Sequence, residues 1–386
     1  MELYRASNQW ANRPDDERFE SIDALYDATK RYHDCAQTAS VNYSDLRVEA
    51  SGDDIQLTGK SGVPAKLTHF AFGQLSGKMH APASYLRELS PTLAAQNLNF
   101  GLARVAHDHP PASLLFHSNG GLVLRAATSE KYDRIWNDEI VTRLRDMVAG
   151  GGWQVPPAQP CRADQAGTRI ATESDVLAGA GFGLSINIGD QIAPAGLYAS
   201  DHDMFTFFVD NAHRISEPGN ADGLARGFFC WNSEVGEKSF GICRFLYRHV
   251  CGNHIVWGAK HVTEIRIRHI GTANDKAFRE LSGELVKYSN ESASEDEARI
   301  LHCRTFKLGD NKDEVLDRLF GFKATLRLSR TQIEDGYEAV DPDNDGDPRT
   351  VWGIAQGLTR LSQQTTYADD RVTLDKAAGR VLDIAF

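Results

Sequence analysis

The residues best able to do chemistry fall in three groups. Cys243, Cys251, His254 and His261 supply metal-ligand types in one stretch, at spacings of eight, three and seven. Zinc modules pair their ligands across about two to five residues, so buried packing is the better reading for Cys243 and Cys251 and no metal is expected. Asp341-Pro-Asp-Asn-Asp-Gly-Asp347 imitates the first half of an EF-hand loop, but Trp352 stands where that loop needs a bidentate glutamate. An acidic turn is expected there. Ser233 beside Glu234, and Cys251 near His254, pair nucleophile with base types. No G-x-S-x-G, phosphate-binding loop or G-x-G-x-x-G accompanies them, and Gly179-Ala-Gly-Phe-Gly183 lacks a strand–turn–helix context. No catalytic residue and no cofactor is assigned.

Basic residues offer a different chemistry. Arg244 and Arg248 lie four apart on a strand and so share a face. Arg266 and Arg268 share a face on a later strand, opposite Ile265 and Ile267, with His249, Lys260, His261 and His269 nearby. Brought together by strand pairing, they would form a platform for a phosphate backbone, with Tyr247 and Trp257 as stacking surfaces. Ion pairing with Glu234, Glu237 and Glu264 would instead neutralise them. Thr68–Leu89 has the outline of a helix-turn-helix, but its second helix offers only Arg87 as a base. A plain helical corner is expected.

The elements that position these residues read clearly. Pro14-Asp15-Asp16-Glu17 opens a helix that continues through Phe19, Ile22, Tyr26, Thr29 and Tyr32. Leu46, Val48 and Ala50 alternate, as do Ile55 and Leu57, around a Ser51–Asp54 turn, which predicts a hairpin. Thr68 caps a helix that Gly77 ends, Pro82 opens the next, and Thr92–Val105 is a third. Asn119-Gly120-Gly121 turns a second hairpin, and Ile135–Val148 is an amphipathic helix. From Leu184 to Gly271 strands dominate, with Ile186 and Ile188 alternating and Asp201-His202-Asp203 as a turn. Helical stripes follow: Phe278, Leu281, Leu285 and Tyr288, then Val315, Leu316, Leu319 and Phe320, then Val351–Leu361 and Leu374–Leu382.

The fold class is therefore α+β, an antiparallel sheet core with an N-terminal helical elaboration and a C-terminal helical region. The divisions are an N-terminal α+β subdomain (1–149), a Gly/Pro-rich linker (150–175), the antiparallel core (176–272) and the helical region (273–386). The last can form one compact unit with the core. With 53 acidic against 42 basic residues, the net charge of −11 argues against a uniformly basic nucleic-acid coat. Met1–Asp16 is polar, unlike a signal peptide, and no stretch nears the roughly 18 apolar residues of a membrane span. Six irregularly spaced cysteines then suggest free thiols in a cytoplasmic protein.

Gly227-Phe-Phe-Cys-Trp-Asn-Ser-Glu-Val-Gly236, followed by Ser239-Phe-Gly-Ile-Cys-Arg-Phe-Leu-Tyr-Arg-His-Val-Cys-Gly-Asn253, resembles the core of a phage- and plasmid-borne family, domain of unknown function 932. Leu124–Tyr132, Arg266–Gly271 and Val351–Gly357 resemble further elements of that family, and the likeness spans roughly Phe70 to Leu382. His254 departs from it, standing where the family has glycine. The resemblance implies a mobile-element setting and no assigned activity. Its helix-flanked antiparallel sheet is comparable with that of single-strand annealing recombinases. The expected function is a non-enzymatic DNA-metabolism factor in a bacterial host's cytoplasm, binding single-stranded nucleic acid as a homo-oligomer. Its phosphate contacts would be Arg244, Arg248, Lys260, Arg266, Arg268 and His269. The alternatives are a host-interaction or regulatory factor that binds a host protein, which the net acidity suits, and a hydrolase or nuclease built on Glu234 or Asp and His residues. No membrane partner is expected.

Overall fold

The structure is a computed structural model that describes residues 15–106, 109–118, 120–160, 168–182, 184–194, 196–237, 239–248, 253–255, 265–364 and 368–386. Near the N-terminus, Ser21 caps helix α1 (Ile22–Asp34) by accepting from the Ala24 amide. Six strands follow: β2 (Ala36–Val41), β3 (Arg47–Ser51), β4 (Asp54–Thr58), β5 (Pro64–Leu67), β6 (Ala112–Ser118) and β7 (Leu122–Ser129). They form one sheet in the order β2-β6-β7-β5-β4-β3, antiparallel except for β5 against β7. The predicted hairpin is β3–β4, with Gly52 supplying the positive φ of its turn.

Helices α2 (His69–Lys78), α3 (Ala83–Glu88) and α4 (Pro91–Val105) cover one face of this sheet. Val48, Leu57, Phe72, Leu75, Leu98 and Leu102 form the core between them. Thr68 caps α2 as expected, accepting from the Ala71 amide at 3.1 Å. Gly77 does not end that helix; it runs on to Lys78, and His80 takes the left-handed conformation beyond it. The second helix of this corner, α3, has six residues, and its Arg87 donates to the His69 carbonyl.

The large sheet runs β1 (Arg18–Phe19), β12 (Leu197–Ala199), β13 (Met204–Glu217), β14 (Asn220–Asn232), β15 (Phe240–Arg248) and β16 (Asn253–Ile255). In addition β8 (Trp153–Gln154) pairs with β13, and β17 (Ile265–Ile267) pairs with β15. All these pairings are antiparallel. Period-two alternation gives the sheet two apolar faces. Phe208, Phe228, Phe240 and Ile242 pack against α5 (Asn137–Ala149) and α7 (Ala273–Asn290). Phe205, Phe207, Phe229, Trp231 and Phe245 line the other face. The sequence predicts a strand at Ile186 and Ile188, but no strand forms there. Asp190 accepts from the Asn187 amide to make a turn, and the adjoining strand is β11 (Gln191–Ala193). β11 joins β9 (Gln159–Pro160) and β10 (Arg169–Ile170) in a small third sheet beside α6 (Glu173–Ala180).

The C-terminal helices are α8 (Ala293–Thr305), α9 (Lys312–Gly321), α10 (Lys323–Leu326), α11 (Arg330–Glu338), α12 (Val351–Gln364) and α13 (Ala368–Leu382). Their core takes in Ile215, Leu224 and Leu246 of the large sheet, so region and sheet share one apolar cluster. The Asp341–Asp347 segment is a turn: Asp345 is fully buried, accepting from the Asp341 amide and pairing with Arg360 at 2.8 Å. The described cysteines, Cys35, Cys230, Cys243 and Cys303, are free thiols. Cys251, His261 and Lys260 lie outside the described residues. Among the described residues no helix is long and apolar enough to cross a membrane.

Candidate functional site

The basic residues of the core do not share a face. Arg244 is 5% exposed: its guanidinium sits 4.6 Å from the Tyr288 ring centre, and Nη1 lies 3.1 Å from Glu291 Oε1. Neighbouring Arg226 is treated the same way, pairing with Asp296 and donating to the Glu291 and Ser292 carbonyls. The expectation that Arg244 meets phosphate is thereby corrected, because the end of α7 and the start of α8 lie across that face of the sheet. Arg248, four residues on, belongs to the same face by alternation and pairs in register with Asn253. Arg266 is in register with Gly241, on the face opposite Phe240 and Ile267. Arg268 is exposed just beyond β17.

His269 is also withdrawn from solvent, at 4% exposure. Its ring stacks on Tyr132 with centres 4.8 Å apart and planes 5° from parallel. Burial pulls its pKa down to about 4, with the nearby Arg134 charge adding to the effect. A neutral, enclosed imidazole is no phosphate ligand, so this expectation too is corrected.

The densest polar geometry lies at one end of the large sheet, where β13 and β14 pair from Met204 to Asn232. The turns before β13 and after β14 therefore emerge side by side. Asn232 Nδ2 donates to the Ile135 carbonyl at 2.8 Å and to Asn137 Oδ1 at 2.7 Å. Ser233 Oγ donates to the His202 carbonyl at 2.7 Å and accepts from the Glu237 amide at 3.1 Å. Glu234 is 1% exposed: one carboxylate oxygen accepts from the Asn137 amide at 2.9 Å, and the other lies 3.1 Å from Arg125 Nη2. Arg134 donates to the Glu234 carbonyl, Tyr132 to that of Ser233, and Gln74 to that of Val235. Ser233 and Glu234 are thus held in a joint between the two large sheets. Their hydrogen bonds do not form a nucleophile–base pair.

His202 stands in the same joint. Its Nδ1 is 2.8 Å from Asp201 Oδ1, while Nε2 faces Asp203 and Glu237. Burial opposes protonation of this imidazole, but the Asp201 hydrogen bond and the charges of Asp203 and Glu237 outweigh it and raise the pKa. Sequence reasoning passed over this group as a turn. The available signal was a histidine flanked by two acids between apolar strands, with Glu237 directly after the Gly227–Gly236 motif.

Residues 187–371 match the family model described as Domain of unknown function (DUF932), so the chain carries a DUF932 domain over that span. No curated protein and no solved structure matches the chain. The joint straddles the domain's edge: Asn232, Ser233 and Glu234 lie within it, while Gln74, Arg125, Tyr132 and Arg134 lie before it.

Proposed function

We propose that the protein is a phage- or plasmid-borne DNA-metabolism factor that binds single-stranded nucleic acid along the outer edge of the large sheet. Arg248, Arg266 and Arg268 would contact phosphates there; Lys260, the further expected contact, lies outside the described residues. Arg268 carries the reading, because it is exposed immediately beyond β17, two positions from Arg266. β16 and β17 both pair with β15. The register positions of Arg248 and Arg266 therefore stand about 23 Å apart along that strand, at about 3.3 Å per residue. Because the two positions belong to opposite faces at that edge, a bound strand would have to wrap the edge to meet both. Burial removes Arg244 and His269 from the contact set.

Three or four phosphate contacts predict a log–log salt slope of about −2 to −3 for a single strand. Fluorescence anisotropy of a labelled oligonucleotide across salt concentrations measures it. Arg266→Ala combined with Arg268→Ala should weaken binding and flatten the slope. Arg244→Ala should lower stability and leave the slope unchanged. Undetectable binding at low salt would remove the reading. Capture of a host protein without any oligonucleotide shift would favour the host-interaction alternative.

A further inference from the structure

The Ser200–Asp203 and Ser233–Glu237 turns bring one imidazole and two carboxylates together. His202 Nε2 lies 3.8 Å from Asp203 Oδ1 and 3.9 Å from Glu237 Oε2. Both distances exceed the roughly 2.7–3.2 Å of a hydrogen bond. One ligand atom from each residue lies within 4.8 Å of the other two. Two metal bonds of about 2.1 Å at a tetrahedral angle hold their donors about 3.4 Å apart. Closing on an ion therefore requires the histidine to move against each carboxylate by roughly half an ångström, and the two carboxylate oxygens to approach each other by up to about 1.4 Å.

The histidine is oriented for this role. His202 Nδ1 lies 2.8 Å from Asp201 Oδ1 and Nε2 faces the two carboxylates; a metal ion there would take the place of the Nε2 proton, leaving Nδ1–H to donate to Asp201. A carboxylate behind the ligating histidine is the usual support of a metal-bound imidazole. Asp203 is fully buried and held by Ser200 Oγ, which donates to its Oδ1 at 2.7 Å. Ser233 ties the turns together, bonding to the His202 carbonyl and the Glu237 amide through one hydroxyl. The side chains of His202 and Glu237 keep 32% and 17% of their surface exposed, which leaves an approach from solvent.

We propose that His202, Asp203 and Glu237 form a binding site for a divalent first-row transition-metal ion, with Asp201 as a positioning residue. One imidazole with two carboxylates suits Zn²⁺ or Mn²⁺, whereas Ca²⁺ and Mg²⁺ take all-oxygen sets. Water completes the coordination. The site is independent of the nucleic-acid reading and stands or falls separately.

The test uses full-length, untagged protein stripped with a chelator and titrated with ZnCl₂ by calorimetry, with Co²⁺ as an optical probe. Wild type should bind one equivalent of Zn²⁺ and give visible d–d bands with Co²⁺. His202→Asn and Glu237→Gln should each weaken binding by about 100-fold or more, and Asp201→Asn by about 10-fold. Circular dichroism and thermal melts of the stripped variants check the fold. If His202→Asn fails to fold, Glu237→Gln, a near-isosteric change at a partly exposed side chain, carries the test. Absence of Zn²⁺ binding by wild type at about 100 μM, or unchanged affinity in the folded variants, overturns the proposal.

Discussion

Glu234 is a carboxylate with almost no access to water, and its counter-charge comes from Arg125 in another sheet. Removing one partner of such a pair leaves the other charged and buried, which costs about 3–5 kcal/mol. Arg125→Met should therefore lower unfolding free energy by about that amount in urea titration. Glu234→Gln keeps the acceptor for Asn137 and should cost somewhat less, about 2–3 kcal/mol. His269 makes a prediction about pH. Its folded pKa of about 4 lies below the ordinary 6.5, so between those values the unfolded chain binds the extra proton. The associated stability is complete above pH 6.5 and is lost as pH falls toward 4. The ceiling is about 3 kcal/mol. His269→Phe, which keeps a ring against Tyr132, should flatten the stability profile across that window relative to wild type. The Gly227–Gly236 motif is legible in the sequence; that its Ser233 and Glu234 are joint residues depends on Arg125, Tyr132 and Arg134, which no local pattern links to them.

Trp231 and Phe245 are accommodated in the large sheet by glycines on adjacent strands. A Cβ added at Gly241 would stand 2.0 Å from a Trp231 ring carbon, and one at Gly227 would stand 2.3 Å from Phe245. Gly241→Ala should thus destabilise by about 1–3 kcal/mol through overpacking. Gly283, inside α7, meets nothing within 4 Å, and Gly283→Ala should stabilise by about 0.5–1 kcal/mol. Thermal melts of the two variants should shift in opposite directions. Long elements were readable because their apolar periods are local: the β3–β4 hairpin, α4 and the stripe of α7 all follow the sequence pattern. The miss at Ile186 and Ile188 has an equally local cause. Two alternating isoleucines resemble a strand, but the Asp190 side chain bends the segment, and Ile188 is 71% exposed.

Several ties cross between the regions that composition separates. β1 pairs with β12, β8 inserts beside β13, and the Glu234 charge is balanced from the N-terminal sheet. A fragment limited to residues 187–371, the DUF932 span, would lack β1, β8, Arg125 and most of α13. It should show no cooperative melting transition, whereas the full chain should; differential scanning calorimetry of both decides this. By itself the sequence determined the α+β class, the hairpins and the helical stripes, because each depends on residue period and turn chemistry over a short window. Only the tertiary structure decided the fate of the charged and polar side chains. Arg244 is buried because Tyr288 and Glu291 arrive from a later helix, and His202 meets Glu237 because two turns share one end of a sheet. Burial and neutralisation depend on segments distant in the chain, and alternation along a strand carries no information about what will cover it.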